Sequence, residues 1–203
     1  MENIKNAPDK GKKNSVSTIV GIGLLTAIVV VLQFVSMWLR FSMFSITLTL
    51  LPIVVGAALY GWKSGAWLGF IFGMAVLLTG DASTFLAINI PGTIITVLMK
   101  GALAGLCSAF VYHLVAKKNQ TAAVIAAAVT APIVNTGVFI LGCYVFFLDW
   151  IKETAGGGMA IVFILTALVG INFFIELGIN LILNPVIITL IDLGKKTIRS
   201  SAK

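Results

Sequence analysis

The chain has 203 residues, 14 Lys and Arg against seven Asp and Glu, and a formal charge of +7. Its mean hydropathy is +1.08, with 59% hydrophobic and only 10% charged residues, where a soluble domain carries about 25%. This composition excludes a water-soluble globular domain. The basic excess has no aromatic interleaving and no nucleic-acid motif, so it reads as membrane topology and contact with anionic headgroups.

Eleven of the 14 cations lie in the termini or in two short connections, 61–64 and 116–120. Long apolar runs separate them, the positive-inside pattern of a polytopic membrane protein with both termini in the cytoplasm. The remaining cations are Arg40, Lys100 and Lys152. Arg40 and Lys152 fall in the opposite set of connections, whereas Lys100 falls inside an apolar span, where a charge is costly.

Punctuation predicts an all-α bundle of six transmembrane helices forming one membrane domain over 1–203. Residues 1–15 are a polar cytoplasmic tail, 16–193 the bundle and 194–203 a basic cytoplasmic tail. The polar start and the absence of a small-residue cleavage site predict no cleavable signal peptide. The first span covers 16–39. The second, 46–60, turns at Gly61-Trp62-Lys63-Ser64-Gly65 into a third at 66–79. Both are shorter than the roughly 20 residues of a full crossing. An outer segment follows at 80–92, then spans at 93–115 and 121–148, an outer loop at 149–158 and a sixth span at 159–193. The last is too long for one straight crossing and must tilt or project.

Small residues recur every four positions: Gly65, Gly69 and Gly73; Gly101 and Gly105; Gly23 and Ala27. Such stripes let helix backbones approach closely in lipid, within the bundle or against another subunit. Cys107 and Cys143 sit in apolar spans without Cys-x-x-Cys spacing and read as small apolar residues.

Costly side chains within the spans are few. They are Lys100, Asn135, and the series Asn172, Glu176, Asn180 and Asn184. Each step of four drifts only about 40° around a helix, so the series forms a slowly winding polar stripe. Lipid satisfies none of its hydrogen bonds, so it must face protein or a wet cavity. One account is polar glue, with Glu176 neutralising Lys100. The other is a pocket in the outer half, where Lys100, Asn135, Asn172 and Glu176 meet a polar small molecule. Asn180 and Asn184 lie deeper and suit packing. Arg40 and Asn89 stand in outer loops, as interfacial anchor and turn former or as pocket closures. Trp67 suits an interfacial belt. No phosphate-binding loop, metal-ligand cluster or nucleophile–base pair is present, so the chain offers no cofactor or metal site and no catalytic constellation.

Several segments resemble the substrate-binding (S) components of energy-coupling factor vitamin transporters. They are Gly23-Leu-Leu-Thr-Ala27, the run 44–78, LMKGALAGL at 98–106, APIVNTGVFILG at 131–142 and NFFIELGINLILNP at 172–185. Within that family the chain is most similar to the pantothenate-specific subgroup. The resemblance implies a six-helix bacterial plasma-membrane subunit that captures a vitamin at its outer half. It also implies docking on a membrane-spanning T component with two ATPases and inward delivery by ATP-driven toppling. The family's Ala-x-x-x-Ala docking contact on the first helix maps onto Gly23 and Ala27, a departure at the first position that keeps a small surface.

Pantothenate would suit the polar residues. Lys100 would meet its carboxylate by a charge-assisted hydrogen bond, and Asn135 and Asn172 its amide and hydroxyls. Glu176 would repel the carboxylate unless protonated or paired with Lys100. Another water-soluble vitamin, a self-sufficient secondary carrier and an intramembrane enzyme are the competing readings.

Overall fold

Glycine decides how this chain turns and how closely its helices approach. The computed structural model describes residues 10–38, 40–41, 44–45, 47–156 and 159–201. The elements are α1 (Lys10–Ser36), a two-residue antiparallel ribbon of β1 (Arg40–Phe41) and β2 (Phe44–Ser45), α2 (Leu50–Tyr60), α3 (Trp62–Leu78), α4 (Ser83–Ile88), α5 (Ile90–Val115), α6 (Gln120–Phe146), α7 (Leu148–Thr154) and α8 (Ala160–Phe163). A π-helical segment, Ile164–Val169, leads into α9 (Gly170–Ile182), and α10 (Asn184–Ser201) follows.

The fold is therefore all-helical apart from the small ribbon. Among the described residues, three helices are long and apolar enough to cross a membrane: the Val16–Ser36 part of α1, α5 and α6. A fourth candidate is the bent pair Ala160–Val169 and Asn172–Ile182, which meet at 45°. The segment read from sequence as one long span at 159–193 is thus broken in the structure. Its break holds the π-helical turns and Gly170 at φ 36°, and π-helical turns are a known cause of kinks.

The α2 and α3 helices, 11 and 17 residues long, are the short apolar pair expected from the sequence. Nearly every residue of α2 from Leu50 to Ala58 is buried, because α1, α3, α5, α6 and α10 surround it. A helix clad in protein need not match the bilayer. The turn into α3 is tighter than the five-residue connection read from sequence. Gly61 alone makes it at φ 85°, and residues 62–65 are already helical. At the other end, α10 continues the helix to Ser201 through most of the segment read as a basic tail.

The stripe of Gly65, Gly69 and Gly73 is internal packing. A Cβ at Gly65 would meet the Gly105 carbonyl, one at Gly69 the Gly101 carbonyl, and one at Gly73 the Val97 carbonyl. The α3 and α5 backbones therefore touch along three helical turns. Because the obstacle is backbone rather than a flexible side chain, Gly69→Ala or Gly101→Ala should destabilise the protein by at least about 1–3 kcal/mol. Thermal unfolding in detergent checks this; an unchanged midpoint would mean the α3–α5 approach is looser than described.

Two apolar clusters hold the bundle. The larger centres on Val29, Leu50, Ile53, Leu68 and Phe72. The smaller joins Phe85, Cys143, Phe147, Ile151, Ile164 and Leu168. Phe85 of α4 anchors that second cluster by edge contacts with Phe139, Phe147 and Trp150 at 5.5, 4.9 and 5.8 Å. The segment 80–92 is thereby pinned against α6 and α7. Trp67 donates from Nε1 to Thr26 Oγ1 at 3.2 Å and stacks on Phe70, so it ties α3 to α1 while about half exposed.

Candidate functional site

At the end of the bundle opposite the basic connections, α1, α3, α5, α6 and the broken last span enclose a cavity. Its empty volume is about 780 Å³, with the part open to solvent included. Lys100, Asn135, Asn172 and Glu176 all line it. Four polar side chains from three helices distant in sequence thus share one space.

Lys100 lies ten residues into α5, about 15 Å along the helix from its start. Its Nζ sits 5.7 Å from the ring centroids of both Phe72 and Phe139. Each ring face offers about 0.5–2 kcal/mol to a cation, so the charge is cushioned from two sides. The carboxylates that act on it electrostatically are Glu176 and Asp81.

Asn135 is only 5% exposed and follows Pro132 inside α6. Asn172 opens the straight part of the last span beyond the bend. The side-chain oxygens of both are buried and have no hydrogen-bond partner among the described residues. Leaving such an acceptor unmet costs about 1–3 kcal/mol, so each is a place where a ligand donor is favoured. Glu176 accepts from the backbone N–H of Thr47 at 3.2 Å. That contact fastens the end of the α1–α2 connection to the cavity wall.

The sequence is similar over most of its length to a known family. Residues 17–188 match the family described as "ECF transporter, substrate-specific component". This chain belongs to that family. A curated relative, "Pantothenic acid transporter PanT" of Lactococcus lactis subsp. cremoris (strain MG1363), is 27% identical over 194 residues, covering 87% of this chain and 94% of the relative. No solved structure matches.

The other site candidates in this substrate-specific component are placed differently. Asn89 does not line the cavity. It is the N-cap of α5, where its Oδ1 accepts from Gly92 N at 2.9 Å, with Pro91 at the first turn. That is the turn-forming alternative, and it is local chemistry. Arg40 pairs by backbone with Ser45 in the ribbon, and its side chain lies outside the described residues. Asn180 is fully buried below the cavity, donating from Nδ2 to the Glu176 carbonyl at 2.9 Å. Asn184 is buried there too. Gly23 and Ala27 are exposed on α1, and a Cβ at Gly23 would meet nothing within 4 Å.

Several lining residues of this ECF component escape a sequence reading that weighs mainly charges and side-chain amides in the last three spans and the outer loops. Gln33 of α1, Thr47, Asp81, Thr93 and Thr96 all line the cavity. Gln33 sits three residues before the end of α1, after the apolar run 27–32, and Asp81 is the sole acid of its loop. Those were the available signals.

Proposed function

We propose that the chain is the pantothenate-binding subunit of a bacterial energy-coupling factor importer. The observation that carries this reading is the convergence of Lys100, Asn135 and Asn172 on one cavity in a chain that is similar to a pantothenic acid transporter. Lys100 holds the vitamin's carboxylate, Asn135 and Asn172 take its amide and hydroxyls, and Phe72, Val76 and Phe139 face its methyl groups. Glu176 shares the cavity with Lys100 and fastens the α1–α2 connection through Thr47.

The subunit crosses the plasma membrane six times with both termini in the cytoplasm, so the cavity opens outside. It has no phosphate-binding loop of its own, so ATP hydrolysis falls to two partner ATPases, and a membrane-spanning T component joins them to it. The loaded subunit topples on the T component to release the vitamin inward.

Isothermal titration of the purified protein with a panel of water-soluble vitamins tests the ligand. Saturable binding of pantothenate alone is expected, and saturation by a different vitamin with none by pantothenate would overturn the assignment. Topology has its own check. In a background with Cys107 and Cys143 replaced by Ala, single cysteines within 82–90 and within 117–120 should label from opposite sides of the membrane. Labelling of both from one side would end the six-span arrangement.

A further inference from the structure

Gln33 is 1% exposed, lines the cavity and comes from the least buried of the three long apolar helices. Both hydrogens of its amide are committed. Nε2 donates to Asp81 Oδ2 at 2.7 Å and to Thr79 Oγ1 at 3.4 Å, and the Thr79 hydroxyl in turn donates to the Val76 carbonyl at 3.2 Å. A carboxylate only accepts, so the amide cannot flip without setting oxygen against oxygen. The geometry of Asp81 therefore fixes which way Gln33 points. Its Oε1 is left buried with no hydrogen-bond partner among the described residues. The sites at which an acceptor is both oriented and unmet are those where a ligand donor is selected.

Depth separates this acceptor from the cation. Gln33 is three residues from the end of α1 and Lys100 ten from the start of α5, so along the helices they lie about 5 and about 15 Å from the cavity end of the bundle. The rest of the lining mixes apolar groups, among them Phe72, Val76, Phe85 and Val97, with the hydroxyls of Thr93 and Thr96. An elongated ligand with an anion at one end and a hydroxyl at the other matches that spacing. Four buried side-chain oxygens on cavity-lining residues lack partners among the described residues: the amide oxygens of Gln33, Asn135 and Asn172, which only accept, and the Thr96 hydroxyl, which can also donate. Pantothenate offers three donors, its two hydroxyls and its amide N–H.

We infer that Gln33, held by Asp81, is a specificity-determining residue that accepts a hydrogen bond from one hydroxyl at the end of the ligand remote from the carboxylate. The assignment rests on the pantothenate reading above. It makes Asp81 a positioning residue that acts through Gln33.

Gln33→Met keeps the side chain's length and removes its polar atoms. The experiment is isothermal titration of wild type and Gln33→Met in detergent with pantothenate and with two analogues, each lacking one hydroxyl. Wild type should bind one analogue about tenfold or more weakly than pantothenate. Gln33→Met should lose a similar factor for pantothenate, yet bind that analogue within about twofold of wild type. A role confined to tying α1 to the α3–α4 turn would lower affinity for all three ligands by one common factor, and that result overturns the assignment. So does unchanged pantothenate affinity in Gln33→Met. If wild type binds no pantothenate, the functional reading falls and takes this assignment with it, an outcome distinct from failure of Gln33 alone. A thermal melt of the ligand-free variant confirms that the protein compared is folded.

Discussion

Replacing Lys100 with Ala should weaken pantothenate binding by about one to two orders of magnitude. A hydrogen bond to a charged group contributes roughly 1.5–3 kcal/mol, and each 1.4 kcal/mol is about tenfold in affinity. The effect belongs at the upper end of that range because aromatic rings flank the cation, with Phe72 and Phe139 each 5.7 Å from Nζ. Lys100→Arg should not restore binding, since the planar guanidinium is bulkier than the ammonium that fits between those rings. The alcohol analogue of the vitamin, which lacks the carboxylate, should bind weakly to wild type and be nearly indifferent to the substitution. The ligand-free melting temperature of Lys100→Met, which keeps the apolar length, serves as a control for the fold. Equal affinity of Lys100→Ala and wild type, or equal affinity for the acid and the alcohol, would remove Lys100 from the carboxylate site. A preference for a cationic vitamin would shift the main role to Glu176.

The second large effect concerns coupling. Gly23→Trp or Ala27→Trp should reduce vitamin uptake by cells more than tenfold and leave binding by the purified subunit unchanged. Both residues are exposed on α1, and nothing lies within 4 Å of a Cβ at Gly23. The apolar part of that helix is only 11% buried within the chain, against 39% and 33% for α5 and α6. A Cβ at Gly23 meets nothing inside the subunit, so lost uptake with intact binding points to a surface that meets something else. Gly21 supplies the contrast on the same helix. A Cβ there would collide with the Tyr60 ring, and Gly21→Leu should lower stability and binding together. Lost binding with normal assembly in Gly23→Trp would return that position to internal packing.

Some of this protein could be read without any structure, because some physical costs belong to single residues. A lysine inside a long apolar helix is expensive wherever the helix lies, and that alone singled out Lys100. The same reasoning found Asn135 and the Asn172–Glu176 stripe. Asn89 before Pro91 and Gly92 is a local capping pattern, and the turn-forming alternative for it describes its observed place. The shortness of α2 and the excess length of the last span were likewise visible as distances along the chain.

Other features exist only between segments. The sequence left open whether Gly65, Gly69 and Gly73 faced another subunit; the carbonyls of Val97, Gly101 and Gly105 against them decide it. The bend in the last span appears only in the folded backbone, where π-helical turns and Gly170 carry it. Gln33 and Asp81 are 48 residues apart, and each looks ordinary alone. Their meaning comes from a hydrogen bond that orients an amide towards a cavity. The identity of the polar residues was determined by the sequence, since burying a charge or an amide has a cost independent of neighbours. Which of them meet around one space was decided by tertiary packing, since distances between remote helices follow from how glycine-lined backbones close on one another.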